Sequence, residues 1–298
     1  PADNRNAQSF PFDDLLAAKR IAASDVTFAV PRRNWVTGTT YDIYRHDYGD
    51  RITGTSTAQT SNSGVSTLHD ANFYVLTTAR NVYKVLDNNS NSASTVEPTG
   101  TATTIFTTSD TYRWKYMYTL GINDFVKFVS SDFLPLKTDS NVVSAAVSGA
   151  IDQALVRNVG TGLTPGTYFC PVIGDGSTLA VVTFTVSSTA PIANQIDPST
   201  VSMSVVGAGY TYGTIDLSEC YSTLAAAQAR TASPTDLSAG SPSIDAIISP
   251  PDGHGSNVVR ELGGYRVMVN KAVEFLDGAG DVPTDMQFRR FGLISDPQ

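Results

Sequence analysis

Charge is what this chain has least of. Only 16% of its 298 residues are Asp, Glu, Lys or Arg, against about a quarter in an average soluble domain. The formal net charge is -8, and no run of Lys or Arg exceeds two residues. A nucleic-acid binder needs a basic face to neutralise phosphates, so RNA and DNA are excluded as expected partners. No apolar run approaches the ~18 residues that a membrane span requires. The first ten residues, PADNRNAQSF, are polar and do not read as a signal peptide. Beginning without Met, the chain is expected to be processed or to start inside a longer gene product. Cysteine is scarce too. Cys170 and Cys220 are the only two, and in a chain of this size they are expected as buried free thiols, although a disulfide is the other option.

Ser, Thr, Gly and Asn fill the space left by charge, while hydrophobic residues make up 41%. That mixture suits many short strands joined by polar turns, and the length suggests more than one domain. Residues 12–23, FDDLLAAKRIAA, are expected to be helical. Asp13 or Asp14 caps the first amides, and Leu15, Leu16, Ala18 and Ile21 share a side. DVTFAVPRRNW reads as a strand ended by Pro31. FYVLTTA and NVYKVL read as strands, and TATTIFTT and TYRWKYMYTL as a hairpin around Ser109 and Asp110.

Composition shifts near Val142. Residues 141–245 hold no Lys and only two Arg, Arg157 and Arg230, against seven acids. Short Val- and Thr-rich runs alternate there with Gly-rich turns, the pattern of a small β-sandwich or barrel. Within it GTGLTPGT (160–167) is echoed by GAGYTYGT (207–214). Residues 222–232 are expected as a helix and 231–243 as a linker. YRVMVN and FGLI read as late strands flanking a turn at 277–281. The expected fold is α+β, mainly β. A discontinuous outer domain, 1–140 with 246–298, carries an inserted acidic β-domain, 141–245.

TYRWKYMYTL, residues 111–120, poses the sharpest question. On a strand, Tyr112, Trp114, Tyr116 and Tyr118 share one face, while Arg113, Lys115, Met117 and Thr119 share the other. Each large ring brings ~150–250 Å² to whatever covers it. Tyrosine hydroxyls also need partners, which favours a wet boundary such as a domain seam or subunit interface, with plain core packing as the alternative.

Candidate chemistry is thin. His46-Asp47 and His69-Asp70 could contribute to a metal site, but no HExxH or CxxC motif accompanies them. Asp87 opens a calcium-like loop, yet Ser92 stands where Gly is required and Pro98 where the bidentate Glu belongs. Gly253-His-Gly255-Ser256 is not the GxSxG elbow and reads as a glycine turn whose His254 contacts backbone. No dinucleotide or phosphate loop is present. No metal, cofactor or catalytic set is expected, and the chain reads as a structural or interaction protein.

Five blocks then point to a family: VPRRNWVTGTTYDIY (30–44), NVYKVLDNN (81–89), TYRWKYMYTL (111–120), PPDGHGSNVVRELGG (250–264) and FRRFGLISDP (288–297). Together they resemble the baseplate wedge subunits of T-even-type contractile-tailed bacteriophages. The likeness covers about 25–140 and 245–298, and the middle poorly. It implies a virion protein of the tail baseplate, a late protein assembled in the host cytoplasm. Such a subunit forms a homodimer, packs against other wedge proteins, accommodates rearrangement on sheath contraction and performs no reaction on a small molecule. Trp35, Tyr112, Trp114, Tyr116 and Tyr118 are then expected as core or interface anchors, with Arg32, Arg33, Arg113, Arg289 and Arg290 as polar contacts. Tyr and Trp platforms also stack on sugars. The competing expectation is therefore a carbohydrate-active or metal-dependent hydrolase, and a third is a receptor-binding module using the acidic segment.

Overall fold

Antiparallel pairing organises most of the chain. The computed structural model describes residues 15–52, 55–271 and 290–295. In chain order its elements begin with strands β1 (Leu15–Ile21), β2 (Val26–Pro31), β3 (Tyr74–Leu76), β4 (Asn81–Asp87), β5 (Phe106–Thr107) and β6 (Arg113–Thr119). Helix α1 (Ile122–Phe128), strand β7 (Phe133–Pro135) and helix α2 (Ser140–Ala145) come next. Strands β8 (Ile151–Asn158), β9 (Gly166–Gly174), β10 (Val181–Val186), β11 (Ser202–Val205) and β12 (Gly213–Ile215) follow. The chain continues through α3 (Leu224–Ala229), β13 (Ser243–Ile248), α4 (Val258–Leu262), β14 (Arg266–Val269) and β15 (Arg290–Ser295). The fold is α+β, mainly β. No helix among the described residues is long and apolar enough to cross a membrane.

Two compact units emerge. The smaller combines Pro1–Arg32, Gly121–Leu136 and Gly264–Gln298, and the larger combines Arg33–Leu120 with Lys137–Gly263. In the smaller unit β2 sits between β14 and β7, and β1 pairs in parallel with β15. The helix expected over 12–23 is therefore a strand across its described part. Six residues of β1, from Leu15 to Ile21, are in register with β15. Ladder hydrogen bonds to a distant segment override a modest local helix propensity. The turn expected at 277–281 lies outside the described residues.

In the larger unit the sheet β3-β4-β6-β5 takes up the aromatic strand. The expected hairpin is present, with Phe106 opposite Trp114 and Thr107 opposite Arg113. Asp110, in its loop, ties it to an upstream segment, accepting from the Thr95 and Val96 amides at 2.8 and 3.0 Å. Both faces of β6 are covered. Tyr112, Trp114, Met117 and Tyr118 are all essentially inaccessible, and a strand in the middle of a sheet buried on both faces has no solvent side to offer.

One part of the face assignment needs correction. Tyr83 lies opposite Tyr116, and the neighbouring Val82 lies opposite Tyr118, so Met117 is the extra residue of a bulge. Successive residues of β4 point to opposite faces, and cross-strand partners share a face. Tyr118 therefore leaves the side on which Tyr112, Trp114 and Tyr116 pack with Tyr41, Val75, Tyr83 and Val85. The hydroxyls on that side find local partners. Tyr112 donates to the Ser92 carbonyl at 2.5 Å, and Tyr116 reaches Asp139 at 3.1 Å. Tyr112 and Trp114 stack with ring centroids 5.5 Å apart.

Residues 141–245 supply β8 to β12 and the start of β13, all inside the larger unit. Ala154 of β8 and Ile244 of β13 pack onto Tyr168, Cys170, Val182 and Phe184 of the β11-β10-β9-β12 sheet, so two sheets enclose one small core. The two glycine-threonine copies occupy matching places in the fold. Each leads into a strand, β9 or β12, and those strands pair with each other. Gly207 has φ +62, and a Cβ there would meet the Thr178 carbonyl oxygen at 2.6 Å, so only glycine fits.

The cysteines are not free thiols: Cys170 and Cys220 form a disulfide. Phe169 and Tyr221 exchange two backbone hydrogen bonds, at 2.8 and 2.9 Å. The next pair, Cys170 and Cys220, is then a non-hydrogen-bonded pair, where Cα atoms approach closest. Their Cα separation is 4.3 Å. Strand register brings the thiols together, and the 231–243 segment reinforces it through the bridge between Cys220 and Thr235. Closing a loop with a sequence separation of 50 is expected to stabilise the larger unit by about 2–4 kcal/mol. A Cys170→Ala, Cys220→Ala variant should unfold at a lower temperature, and wild-type protein treated with reductant should follow it. Equal melting of oxidised and reduced protein would contradict the bond.

Candidate functional site

β4 reads NVYKVLD, and its one interior charge, Lys84, is fully buried. An ammonium with no access to water must be matched by an anion and hydrogen-bond acceptors. The match comes from residues 254–261. His254 sits in a glycine turn: Gly253 and Gly255 have φ +88 and +82, and a Cβ on either would collide with Val147 or Val142. The turn leads into α4, capped by Asn257, whose side chain accepts from the Arg260 amide at 3.0 Å. One helical turn later Glu261 points back at the turn.

Three side chains converge there. Lys84 Nζ is ion-paired with Glu261 Oε1 and contacts His254 Nδ1. His254 Nδ1 lies 3.2 Å from Glu261 Oε1, and the Gly255 amide donates to Glu261 Oε2 at 2.6 Å. On the other edge of the imidazole, His254 Nε2 is 3.5 Å from Asp152 Oδ2, an acid carried by β8. The Tyr44 ring closes the site, 4.1 Å from Lys84 Nζ and edge-on to His254 at 5.1 Å. The expectation that His254 contacts backbone in a glycine turn is thus corrected: the turn is present, but its imidazole meets side chains.

Burial pushes the Lys84 ammonium down to about 8, against the pull of Glu261. Burial also raises the Glu261 carboxyl, but the charge of Lys84 and the contacts with His254 outweigh it and hold the group at about 2. The asymmetry follows from partners: His254 touches both groups, but the carboxylate also collects Lys84 and a backbone amide, while the ammonium has one carboxylate and an aromatic face. Burial, and then the Lys84 charge, depress His254 below its ordinary value.

The cluster backs onto a cleft of about 350 Å³ whose polar end carries Arg113, Lys115, Asp152 and His254, and whose walls include Val147 and Met203. Lys115 donates to the Thr103 carbonyl at 2.5 Å, and Arg113 bonds Gln153 and the Asp152 carbonyl. A second, more polar cleft of about 490 Å³ lies beside Arg45, Gln59, Arg157 and Asp245. Its charges are already paired: Arg45 meets Asp47 and Asp245 at 2.7 and 2.9 Å. The groups meeting His254 are two acids, an amine and a phenol ring, a different set from a Ser–His–acid relay.

The expected anchors lie within the two units. Tyr112, Trp114 and Tyr116 share one core with Tyr41, Trp35 packs against it, and Tyr118 is buried on the opposite side. Trp35 Nε1 donates to Ser94 Oγ at 3.1 Å. Arg32 donates to the Ser130 carbonyl at 2.9 Å. Arg33 lies over the Tyr74 ring at 4.8 Å and bonds the Ala71 carbonyl. Arg290 opens β15, and Arg289 lies outside the described residues. The His pairs do not converge. His46 Nδ1 accepts from the Ile248 amide at 3.1 Å, and His69 Nε2 is 3.2 Å from the Arg260 carbonyl. Among the described residues no group of three potential metal ligands forms. Asp87 accepts from the Asn89 amide at 2.8 Å and closes a turn. Lys84, Asp152 and Glu261 were missed by motif reading. The available signal was a lone lysine inside an otherwise apolar strand.

No family model, curated protein or solved structure matches the chain.

Buried His254 and surface-exposed His46 set a pH dependence. Burial lowers His254, while His46, exposed at the surface, is lowered by partial desolvation and has its Nδ1 already occupied as an acceptor. As pH falls through about 6.5, the ordinary value for histidine, the unfolded chain takes up protons that the folded chain refuses, so stability declines. The melting temperature should drop between pH 7 and about pH 5, the range in which free histidine titrates. A His46→Gln, His254→Gln variant should show a smaller drop. An unchanged slope in that variant would refute the assignment.

Proposed function

We propose that this chain is an assembly protein that works by contact, and that its place is the one the sequence resemblance implies: a subunit of a contractile phage tail baseplate wedge. The observation that carries the contact reading is a face of the smaller unit. On β2 and β14, Phe28 lies opposite Val267 and Val26 opposite Val269, and cross-strand partners share a face. Phe28, Val267 and Val269 are 50%, 57% and 44% exposed. Large apolar side chains clustered on an open sheet mark a surface that another protein covers. Low charge supports the same reading, since interface centres are depleted in charged residues.

The baseplate assignment rests on the five sequence blocks. It agrees with a rigid, aromatic core in the larger unit and with apolar contact surface in the smaller one. In this reading the chain dimerises and packs against other wedge proteins, and its disulfide closes after the particle leaves a reducing cytoplasm.

Phe28→Asp and Val267→Asp place carboxylates on exposed positions, so the monomer should fold with an unchanged melting temperature. Light scattering on sized protein should give a dimer for wild type and a monomer for the double variant. Purified tails should contain the wild-type chain and lack the variant. A wild-type monomer that is absent from tails and turns over a glycan would overturn the reading.

A further inference from the structure

The Lys84 cluster contains the parts of a bond-forming site, and nothing in the assembly reading uses it. We propose that Lys84 and Glu261 are joined by an intramolecular isopeptide bond that the protein forms on its own. The argument is geometric. Lys84 Nζ is in contact with the Glu261 carboxyl, both side chains are buried, and their positions are 177 residues apart in sequence. Neither side chain has water competing for it. The amine is held there by the fold, which is the condition under which an intramolecular reaction gains most from proximity.

The remaining groups have roles in the condensation. Passing one proton from Nζ to Oε1 turns the ion pair into an amine and an acid, the minor but reactive form of the pair, and burial of both groups lowers the cost of that neutralisation relative to water. The Nζ lone pair then attacks Cδ of Glu261. Oε2 takes up the negative charge, and the Gly255 amide, already 2.6 Å away, donates to it, as an oxyanion-hole donor does. His254 Nδ1 contacts both Nζ and Oε1. It accepts the second Nζ proton and returns it to Oε1, which leaves as water when the Cδ–Oε1 bond breaks. Asp152, 3.5 Å from the opposite ring nitrogen, steadies the transient imidazolium. One C–N bond forms, one C–O bond breaks, one water is released, and no oxidant or reductant is needed. Tyr44 excludes solvent from Nζ. The bond would tie β4, inside the aromatic sheet, to α4.

The test is the intact mass of the purified, folded full-length chain, denatured and reduced so that the disulfide does not contribute. Loss of one water, about 18 Da, is expected relative to the sequence mass, with Lys84→Arg at its full sequence mass. Peptide mapping should recover a branched peptide joining the segments that contain Lys84 and Glu261. Wild-type protein at full sequence mass overturns the proposal. So does a water loss that maps to another position, such as an Asp-Gly step. Because wild type is measured directly, the result stands even if a variant fails to fold, and it is independent of whether the chain assembles into tails.

Discussion

A lysine that cannot reach water fixes how the larger unit must close. Lys84 lies in the middle of β4, among residues that are buried on both faces. Leaving it unmatched would cost about 3–5 kcal/mol, a large share of a domain's net stability. The match requires Glu261 and His254 to arrive from the far end of the unit's sequence, and it requires glycine at 253 and 255 so that the turn can pass Val147 and Val142. The helix α4, its Asn257 cap and the approach of β8 through Asp152 all serve that one arrangement. Apolar packing alone would tolerate several positions for the 250–263 segment, whereas a buried ion cluster tolerates one.

The two halves of the larger unit solve burial differently. Around β6 large rings interlock, and the Tyr41, Tyr83, Tyr112 and Tyr116 hydroxyls each meet a nearby backbone carbonyl or acid. Around β9 and β10 the side chains are smaller, and the Cys170–Cys220 bond stands in the core with Val182, Phe184 and Leu217. Between these halves run polar links: Arg113 to Gln153, Gln153 to Asp87 at 2.6 Å, and Arg45 to Asp245. Directional bonds of this kind fix a relative placement that apolar contact would leave loose. The contact role proposed above would draw on that rigidity.

Much of this architecture was legible in the sequence. Apolar and aromatic runs located β2, β4 and β6, two flanking runs located the hairpin at Asp110, and glycine-rich turns located the loops before β9 and β12. The failures each have a physical cause. Leu15–Ile21 carries helix-favouring residues, but its strand form depends on residues 290–295, which no local window contains. Tyr118 changes face because of one extra residue, Met117, and a bulge leaves no mark on a simple alternation count. The disulfide depends on which backbone pairs 169 with 221, and two isolated cysteines do not announce a register. Lys84 was visible as an anomaly, a charge in an apolar strand. Its partners were not, because Glu261 and Asp152 acquire their meaning only through the fold.

Amide hydrogen exchange at Gly255 tests the central claim most directly, because that N–H donates to Glu261 inside the ion cluster. If the cluster holds the larger unit together, the Gly255 amide exchanges only when the unit unfolds globally, at the same free energy as the amides of β4 and β6. Exchange within seconds, while the β4 amides stay protected, would show that the 253–263 segment opens independently and would contradict the account.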